Sequence, residues 1–215
     1  MQTAPVVPGR ECFRCPRLAA FRDANRTRFP AWHNAPVPSF GSEAAWLLVV
    51  GLAPGLRGAN RTGRPFTGDF AGELLYATLK DFGLATGTYR ANPEDGLYLQ
   101  GCRITNAVRC VPPENRPLPE EARQCRFFLS AEMATMPRLQ AIVVLGRVAH
   151  ESILAARGLK KSALPFRHGA LYRLAGDVLL ADSYHCSRYN TKTGRLTETM
   201  FRDVFRQVMD TVATG

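Results

Sequence analysis

The fold is decided by one stretch in the first quarter of the chain, Trp46-Leu47-Leu48-Val49-Val50-Gly51-Leu52-Ala53-Pro54-Gly55. Its first five residues form a short, continuous apolar run closed by a glycine, which is typical of a strand buried on both faces. A loop rich in glycine, proline and arginine continues to Gly68, and Asp69 then stands at the N-cap of a helix predicted over 70–82. The stretch therefore predicts the first strand, loop and helix of an α/β fold.

Strands and helices alternate through the rest of the chain. Three more main strands are predicted at 103–108, 141–145 and 178–182, with a weaker hairpin over 170–180, and helices at 120–136, 148–156 and 197–212. This alternation predicts an α/β/α domain of three layers around a central, mostly parallel four-stranded sheet. We expect residues 1–215 to form one domain, in which 1–45 is a cysteine-bearing segment followed by a long loop.

The composition favours a polyanionic partner. Among 215 residues the formal net charge is +10, and Lys and Arg gain free energy by displacing counterions from phosphates. A basic surface that serves solubility alone is the alternative. No apolar run approaches the roughly 20 residues of a membrane helix, and Met1–Arg10 lacks the pattern of a signal peptide. We therefore expect a cytoplasmic monomer with no membrane partner.

Six cysteines in a reducing compartment indicate metal or cluster binding rather than disulfides. Cys12 and Cys15 form a Cys-x-x-Cys pair, and 14 residues separate Cys110 from Cys125. Four thiolates suit either a zinc ion or an iron–sulfur cluster, so the spacing leaves both open. Of the remaining two, Cys102 is predicted to be a buried small residue and Cys186 to lie beside the functional pocket.

Polar side chains follow the predicted strands at their carboxyl ends. Asp69 follows the first strand and its loop, Asn106 ends the second, and the fourth leads into Tyr184, His185 and Ser187. Ligands of open α/β sheets bind beyond the carboxyl ends of the strands. We therefore expect a carboxylate, an amide and an imidazole to face one pocket. His33, His150 and His168 have no such context and are predicted to be structural or surface residues.

Three segments, taken in order, resemble the motifs of family 5 (B-type) uracil-DNA glycosylases, and the resemblance extends from about Glu11 to the final helix. It implies a monofunctional DNA repair enzyme that hydrolyses the N-glycosidic bond of uracil in DNA, or of another deaminated base such as hypoxanthine, and leaves an abasic site. The segments are Gly51-Leu52-Ala53-Pro54-Gly55 with Asn60-Arg61-Thr62-Gly63-Arg64-Pro65-Phe66-Thr67-Gly68-Asp69, then Arg109-Cys110-Val111-Pro112-Pro113-Glu114-Asn115, and His185-Cys186-Ser187-Arg188-Tyr189-Asn190-Thr191-Lys192-Thr193-Gly194.

The resemblance also implies roles for individual residues. Asp69 would activate the attacking water and stabilise the cationic sugar, although an N-cap alone would also explain an aspartate there. His185 would donate a hydrogen bond to the leaving base. The base itself would contact Gly51, Ala53, Phe66 and Asn106, with Phe66 stacking on its face and Asn106 reading its edge. DNA would contact Ser187, Arg188, Tyr189 and Asn190, and its path could also include Arg57, Arg61 and Arg64.

A [4Fe–4S] cluster on Cys12, Cys15, Cys110 and Cys125 is likewise implied by the resemblance, with the structural role of tying the N-terminal segment to the core. The sequence departs from family 5 at two positions. Asn106 stands where family 5 members often carry a small apolar residue, whereas family 4 enzymes also have an Asn there, and Cys186 stands where relatives often carry Pro or Val. Leu52 stands where family 4 enzymes carry a Glu, which supports the family 5 assignment.

Two other functions are compatible with parts of the sequence. The first is a catalytically weak or inactive DNA-binding protein of the same fold, although the retained Asp69 and His185 argue against it. The second is a nucleotide-binding enzyme that uses the loop after the first strand. That loop has neither Gly-x-x-x-x-Gly-Lys-Ser/Thr nor Gly-x-Gly-x-x-Gly, so this function is disfavoured.

Overall fold

The computed structural model describes residues 7–214. Met1–Val6 and Gly215 lie outside the described residues. Part of the segment Met1–Arg10, in which the sequence shows no signal-peptide pattern, is therefore not described. The longer helices are α1 (Pro16–Arg28), α3 (Phe70–Asp81), α4 (Pro119–Ala134), α5 (Arg147–Ala156) and α7 (Glu198–Ala213), and the short ones are α2 (Ala59–Thr62) and α6 (Arg188–Lys192). The strands are β1 (Leu47–Gly51), β2 (Ala85–Thr86), β3 (Tyr98–Leu99), β4 (Cys102–Asn106), β5 (Ala141–Leu145), β6 (Leu171–Leu174) and β7 (Val178–Ser183).

The central sheet has five strands in the order β4-β1-β5-β7-β6. The four strands predicted from the sequence are all present and run parallel to one another, and Gly51 at the end of β1 pairs with Asn106 at the end of β4. The fifth strand, β6, is the first arm of the predicted hairpin and runs antiparallel to β7. The sheet therefore has one strand more than predicted, because the hairpin continues the sheet at its edge.

Two helical layers cover the sheet, which confirms the predicted α/β/α architecture. Alternation along β1 sends Leu47 and Val49 to the face covered by α3 and α7, and Leu48 and Val50 to the face covered by α4 and α5. All four side chains are fully buried. Burial of one such side chain contributes about 1.5–3 kcal/mol, so the apolar run that predicted the strand also anchors the core.

Helix α7 shows how the last part of the sequence closes the domain. Thr197 caps the helix, since its hydroxyl accepts a hydrogen bond from the amide of Met200 at 3.1 Å. The helix buries Phe201, Phe205 and Val208, together with Val204, at the i, i+3, i+4, i+7 spacing of a single face. The cap and the end of this helix lie within two residues of their predicted positions.

Residues 7–45 are more regular than predicted. Helix α1 occupies Pro16–Arg28 where a cysteine-bearing segment and a loop were expected, so that part of the prediction is wrong. Its apolar residues are few and it buries polar side chains, namely Arg22 and Asn25, together with Leu18. A search for apolar periodicity misses such a helix because tertiary contacts, rather than an amphipathic pattern, hold it in place.

Three smaller elements were not predicted either: α2, α6 and the two-stranded hairpin β2–β3. These helices and strands have at most five residues each, which is too short for a periodic pattern of apolar residues to be recognised. Within residues 7–214, no helix combines the length and apolar character required to cross a bilayer.

Candidate active site

A cavity of about 700 Å³ opens at the carboxyl ends of β1 and β4. The loop after β1 forms one wall, the start of α3 the second, and the β7–α6 connection the third. The cavity brings together most of the predicted site residues. Its lining includes Ala53, Phe66, Asp69, Asn106, His185, Ser187 and Arg188. It also includes Arg57, which was predicted to lie on the DNA path, and Leu52 and Asn115, which had been given no role at the site.

Asp69 uses one carboxylate oxygen to cap α3 and presents the other to the cavity. Its Oδ1 accepts a hydrogen bond from the amide of Gly72 at 3.1 Å. Its Oδ2 faces the loop after β1, where a Cβ added at Gly58 would lie 2.5 Å from it and one at Gly55 3.3 Å from it. The two functions considered for Asp69, cap and functional carboxylate, therefore use different atoms of the same side chain.

The pKa of Asp69 is raised above its ordinary value. Burial in the cavity wall disfavours the charged form, and the nearby Glu73 carboxylate acts in the same direction. Hydrogen bonds from the amides of Gly72 and Ala71 oppose this effect without cancelling it. The carboxylate is thus held in surroundings that make it a stronger base than an exposed aspartate.

Phe66 and Asn106 line the cavity and pack against Gly51, which does not itself reach the lining. A Cβ on Gly51 would lie 2.5 Å from Cζ of Phe66 and would also collide with Oδ1 of Asn106, so only glycine fits at the end of β1. Asn106 is buried, and none of the hydrogen bonds among residues 7–214 uses its side-chain amide. Its donor and acceptor therefore remain available to a molecule in the cavity.

Phe66 adopts a left-handed backbone conformation, with φ +53°. For a residue with a bulky side chain this conformation costs about 1–3 kcal/mol and persists only when its surroundings hold it. Tyr89 and Tyr76 provide that support: the Tyr89 hydroxyl donates to the Phe66 carbonyl at 3.2 Å, and the Tyr76 hydroxyl donates to the Pro65 carbonyl at 2.6 Å. Sequence reasoning missed both tyrosines, because neither belongs to a motif.

Arg64, predicted as a DNA contact, is instead a buried structural residue. Its guanidinium makes a bidentate ion pair with Asp95, with both N···O distances 2.8 Å, and it packs over the rings of Phe40, Tyr76 and Tyr89. The prediction is wrong for Arg64 because its charge is satisfied inside the domain. Arg57 and Arg61, by contrast, are exposed.

His185 stands across the cavity from Asp69, on the connection after β7. Its ring lies nearly parallel to that of Phe66, with the centroids 6.0 Å apart. Burial lowers the pKa of His185 to about 4, so the ring is neutral at neutral pH. None of the hydrogen bonds among residues 7–214 uses its ring nitrogens. A neutral imidazole can donate a hydrogen bond to a group that gains negative charge.

Of the residues that follow His185, Ser187 and Asn190 make hydrogen bonds that stabilise the loop, whereas Arg188 and Tyr189 are exposed. Asn190 donates its side-chain amide to the carbonyl of His185 at 2.8 Å, and Ser187 caps α6 by accepting from the amide of Asn190. Both residues thus help to fix the loop that carries the imidazole. Arg188 packs over Phe70 at the cavity, and the Tyr189 side chain is 72% exposed. Their contacts with DNA stay predictions.

The four predicted metal-ligating cysteines lie together. Cys12, Cys15, Cys110 and Cys125 line one small cavity, whose other residues include Leu18, Val108 and Phe128. The amide of Arg109 donates to the sulfur of Cys125 at 3.3 Å. Among residues 7–214 no group of three or more His, Cys, Asp or Glu side chains has the arrangement of a single metal-ion site. The two other cysteines, Cys102 and Cys186, are buried in the main apolar core.

The cysteine cavity joins the N-terminal segment to the core, and side chains reinforce the junction. Arg17 of α1 forms a bidentate pair with Glu121 of α4 at 2.8 and 2.7 Å. The amide of Val37 donates to the carbonyl of Arg109 at 2.7 Å. The N-terminal segment is therefore held to the core by direct contacts on both sides of the cysteines.

Comparison with known proteins identifies the class to which this fold and site belong. The model of the uracil DNA glycosylase superfamily matches residues 38–208. The chain is 49% identical over 202 residues to a type-5 uracil-DNA glycosylase of Thermus thermophilus, a match that covers 91% of each protein. The chain therefore belongs to the uracil-DNA glycosylase superfamily.

The type-5 branch gives the longer matches. A type-5 uracil-DNA glycosylase of Mycobacterium tuberculosis is 42% identical over 205 residues, which cover 91% of this chain and 76% of that protein. A type-4 uracil-DNA glycosylase of Archaeoglobus fulgidus is 34% identical over 139 residues, covering 64% of this chain and 62% of that protein. These matches confirm the predicted resemblance to type 5.

Proposed function

We propose that this protein hydrolyses the N-glycosidic bond of uracil in DNA and leaves an abasic site. One observation carries the proposal: Asp69 and His185, a carboxylate of raised pKa and a neutral imidazole, line the same cavity as the amide of Asn106. The names of the type-5 relatives support it.

The reaction needs two opposite charges to be stabilised. As the bond between the sugar and the base breaks, C1′ of the sugar becomes cationic and the base becomes anionic. The carboxylate of Asp69 stabilises the sugar cation and orients a water through Oδ2. That water adds to C1′ and transfers its proton to the Asp69 carboxylate. The ring of His185 donates a hydrogen bond to the oxygen of the departing base, where negative charge develops.

A helix begins next to each of the two proposed catalytic residues. Helix α3 begins after Asp69, and α5 begins after Gly146, whose added Cβ would lie 3.6 Å from Cβ of His185. The partial positive charge at a helix N-terminus favours an anion.

The base is recognised by stacking and by its polar edge. Phe66 offers a ring to the face of an extruded base, and the Asn106 amide pairs with an adjacent N–H and carbonyl oxygen. Uracil and hypoxanthine both carry such a pair. We therefore include hypoxanthine and similar deaminated bases in the proposed substrate range.

The decisive experiment separates the two functions of Asp69. Asn caps a helix about as well as Asp, so Asp69→Asn keeps the bond to Gly72 and removes the charge. We expect uracil release from duplex DNA with one U·G mismatch to fall on the order of tenfold or more, at least about 1.4 kcal/mol of transition-state stabilisation. Burial raises the pKa of Asp69, which means that its negative charge destabilises the folded protein at neutral pH. Removal of that charge should therefore leave the melting temperature unchanged or raise it.

The matched control is Thr197→Asn, which exchanges a second N-cap far from the cavity and should leave uracil release unchanged. Full activity in Asp69→Asn would show that the residue serves only as a cap. No release of uracil or hypoxanthine by the wild-type protein would reject the enzyme and leave a DNA-binding protein of the same fold.

We further propose that Cys12, Cys15, Cys110 and Cys125 hold a [4Fe–4S] cluster that ties the N-terminal segment to the core of the domain. The residues fit such a group: the four thiols surround one cavity with apolar walls, and a backbone amide already donates to one of the sulfurs, as it would to a cluster ligand. The cluster would supply a covalent cross-link between α1, the loop after β4 and α4.

Iron and sulfide content tests this second proposal without reference to activity. Cys110→Ala should abolish bound iron and the visible absorbance of the purified protein, and Cys102→Ala, which lies outside the quartet, should keep both. Zinc in place of iron would reject the cluster and retain the metal site.

A further inference from the structure

A second cavity, of about 590 Å³, lies on the surface beside the candidate active site. Its polar lining includes Arg10, Trp32, His33, Arg61 and Asn92, a set we call the flanking groove. No Asp or Glu side chain lines it. Two arginines in an acid-free groove produce a positive potential that favours an anion.

Helix α2 is the wall that separates the flanking groove from the active-site cavity. Ala59, at its start, lines the active-site cavity, whereas Arg61 and Thr62, at its end, line the flanking groove. The Arg61 guanidinium also reaches back to within 3.1 Å of a Cβ placed on Gly68, another residue of the active-site cavity. A four-residue helix is about 6 Å long, so the two cavities are one or two nucleotides apart along a DNA strand.

Direct contacts keep the two cavities in a fixed relationship. The amide of His33 donates to the carbonyl of Arg61 and that of Asn34 to the carbonyl of Asn60, both at 3.1 Å. The side chain of Asn60 donates to Oδ1 of Asn34 at 2.9 Å inside the protein. The groove is therefore built on the same rigid wall as the active site.

The arginines at the two cavities differ from many others on the surface. No salt bridge among residues 7–214 involves Arg10 or Arg61 at the groove, or Arg57 or Arg188 at the active site. Some exposed arginines elsewhere are paired, as Arg206 is with Asp203, whereas others in the described part of the chain, such as Arg14 and Arg195, are not. Guanidinium groups without a carboxylate partner keep their full charge for phosphates.

Trp32 adds a surface for a base. Its indole stacks on Phe29 with the centroids 3.9 Å apart and the planes 7° from parallel, which fixes the ring while it lines the groove. Successive bases of a single strand stack on aromatic side chains of this kind, and phosphates follow the neighbouring cations.

We propose that the flanking groove binds the DNA strand next to the extruded nucleotide, with Arg10 and Arg61 on its phosphates and Trp32 against a neighbouring base. This inference rests on the proposed function, because it takes the strand in the groove to be the one that carries the target base. It assigns a DNA-binding function to the N-terminal segment, which the motif resemblance had connected only with the cysteines.

The test measures binding rather than catalysis. Fluorescence anisotropy with a uracil-containing single strand, in the Asp69→Asn background, gives the affinity at a series of salt concentrations. Arg10→Gln should weaken binding about fivefold at low salt and reduce the slope of log affinity against log salt by about 0.7, the value for one single-strand phosphate contact. Arg206→Gln is the matched control and should keep both values.

Trimming the oligonucleotide locates the contact. If the groove holds the flanking strand, removal of nucleotides from one side of the uracil should weaken binding, and Arg10→Gln should then have no additional effect. An unchanged salt slope in Arg10→Gln, or an equal effect of this variant on trimmed and full-length strands, would overturn the proposal. Since no base release is measured, failure of the proposed enzyme activity would be recognised separately.

Discussion

The hydroxyl group of Tyr89 links two backbone groups next to Phe66: it donates to the Phe66 carbonyl at 3.2 Å and accepts from the amide of Gly68 at 3.3 Å. It thereby holds the φ of +53° that turns the Phe66 ring toward the cavity. Gly72 allows this approach, since a Cβ there would lie 2.6 Å from the Tyr89 oxygen.

Tyr89→Phe should therefore lower the rate of base release while the fold survives. Both hydrogen bonds are lost and the ring is kept, so the expected cost in stability is about 1–2 kcal/mol. Release should fall on the order of tenfold in single-turnover assays. Tyr98→Phe, which changes an exposed tyrosine, should have no effect.

A double-mutant cycle can show whether Tyr89 acts through Phe66. In a Phe66→Leu background the stacking ring is already absent, so Tyr89→Phe should then cause little further loss of activity. Fully additive effects would contradict the positioning function of Tyr89.

The closer a glycine of the loop after β1 lies to Asp69, the more its substitution by alanine should lower activity. Gly58→Ala places a Cβ 2.5 Å from Oδ2 and should reduce activity on the order of tenfold or more, whereas Gly55→Ala, at 3.3 Å, should have a smaller effect. Gly9→Ala, whose Cβ would meet no atom within 4 Å, is the control. Rates of uracil release that are equal in Gly55→Ala and Gly58→Ala would show that Oδ2 does not need its present position.

The pH dependence of base release should have an acid limb set by Asp69. Its pKa is raised by burial, so activity should fall as the pH drops through a value above the ordinary carboxyl pKa of about 4. His185 has a pKa of about 4 and is therefore neutral above that pH. His185→Gln should therefore keep the acid limb at a lower plateau, and a limb that disappears with this variant would assign it to His185 instead.

The buried pair of His150 and Asp182 should make the free energy of unfolding depend on pH. Nδ1 of His150 lies 2.6 Å from Oδ1 of Asp182, and Nε2 lies 2.8 Å from the carbonyl oxygen of Leu164, so both ring nitrogens face acceptors. Burial alone would lower the pKa of His150, but the carboxylate of Asp182 and the carbonyl of Leu164 outweigh it and raise the pKa.

The stabilisation from charged His150 should thus be complete below its ordinary pKa of about 6.5 and be lost as the pH rises through the higher folded value. Denaturant unfolding between pH 6 and 9 should show this decline in the wild type and not in His150→Gln. His168→Gln is the control, because burial lowers the pKa of His168 and moves its effect to lower pH. An identical decline in His150→Gln would exclude the pair as its cause.

The sequence predicted the sheet and the site well where local patterns determine them. Continuous apolar runs located β1 and β5, and the strand ends brought Asp69, Asn106 and His185 to one cavity as expected. Arg64 could not be placed, because its partner Asp95 is 31 residues away and no pattern connects them. Helix α1 was missed for the same reason: contacts distant in sequence stabilise it.

The junction between α1 and α4 also bears on how the chain acquires its structure. Arg17 and Glu121 are 104 positions apart, so the partner of the first helix is synthesised long after the helix itself. Non-local contacts of this kind form late because the intervening chain must be ordered first. Helix α1 therefore leaves the ribosome before α4 and docks late, and Cys12 and Cys15 beside it stay exposed to solvent and oxidants during that interval.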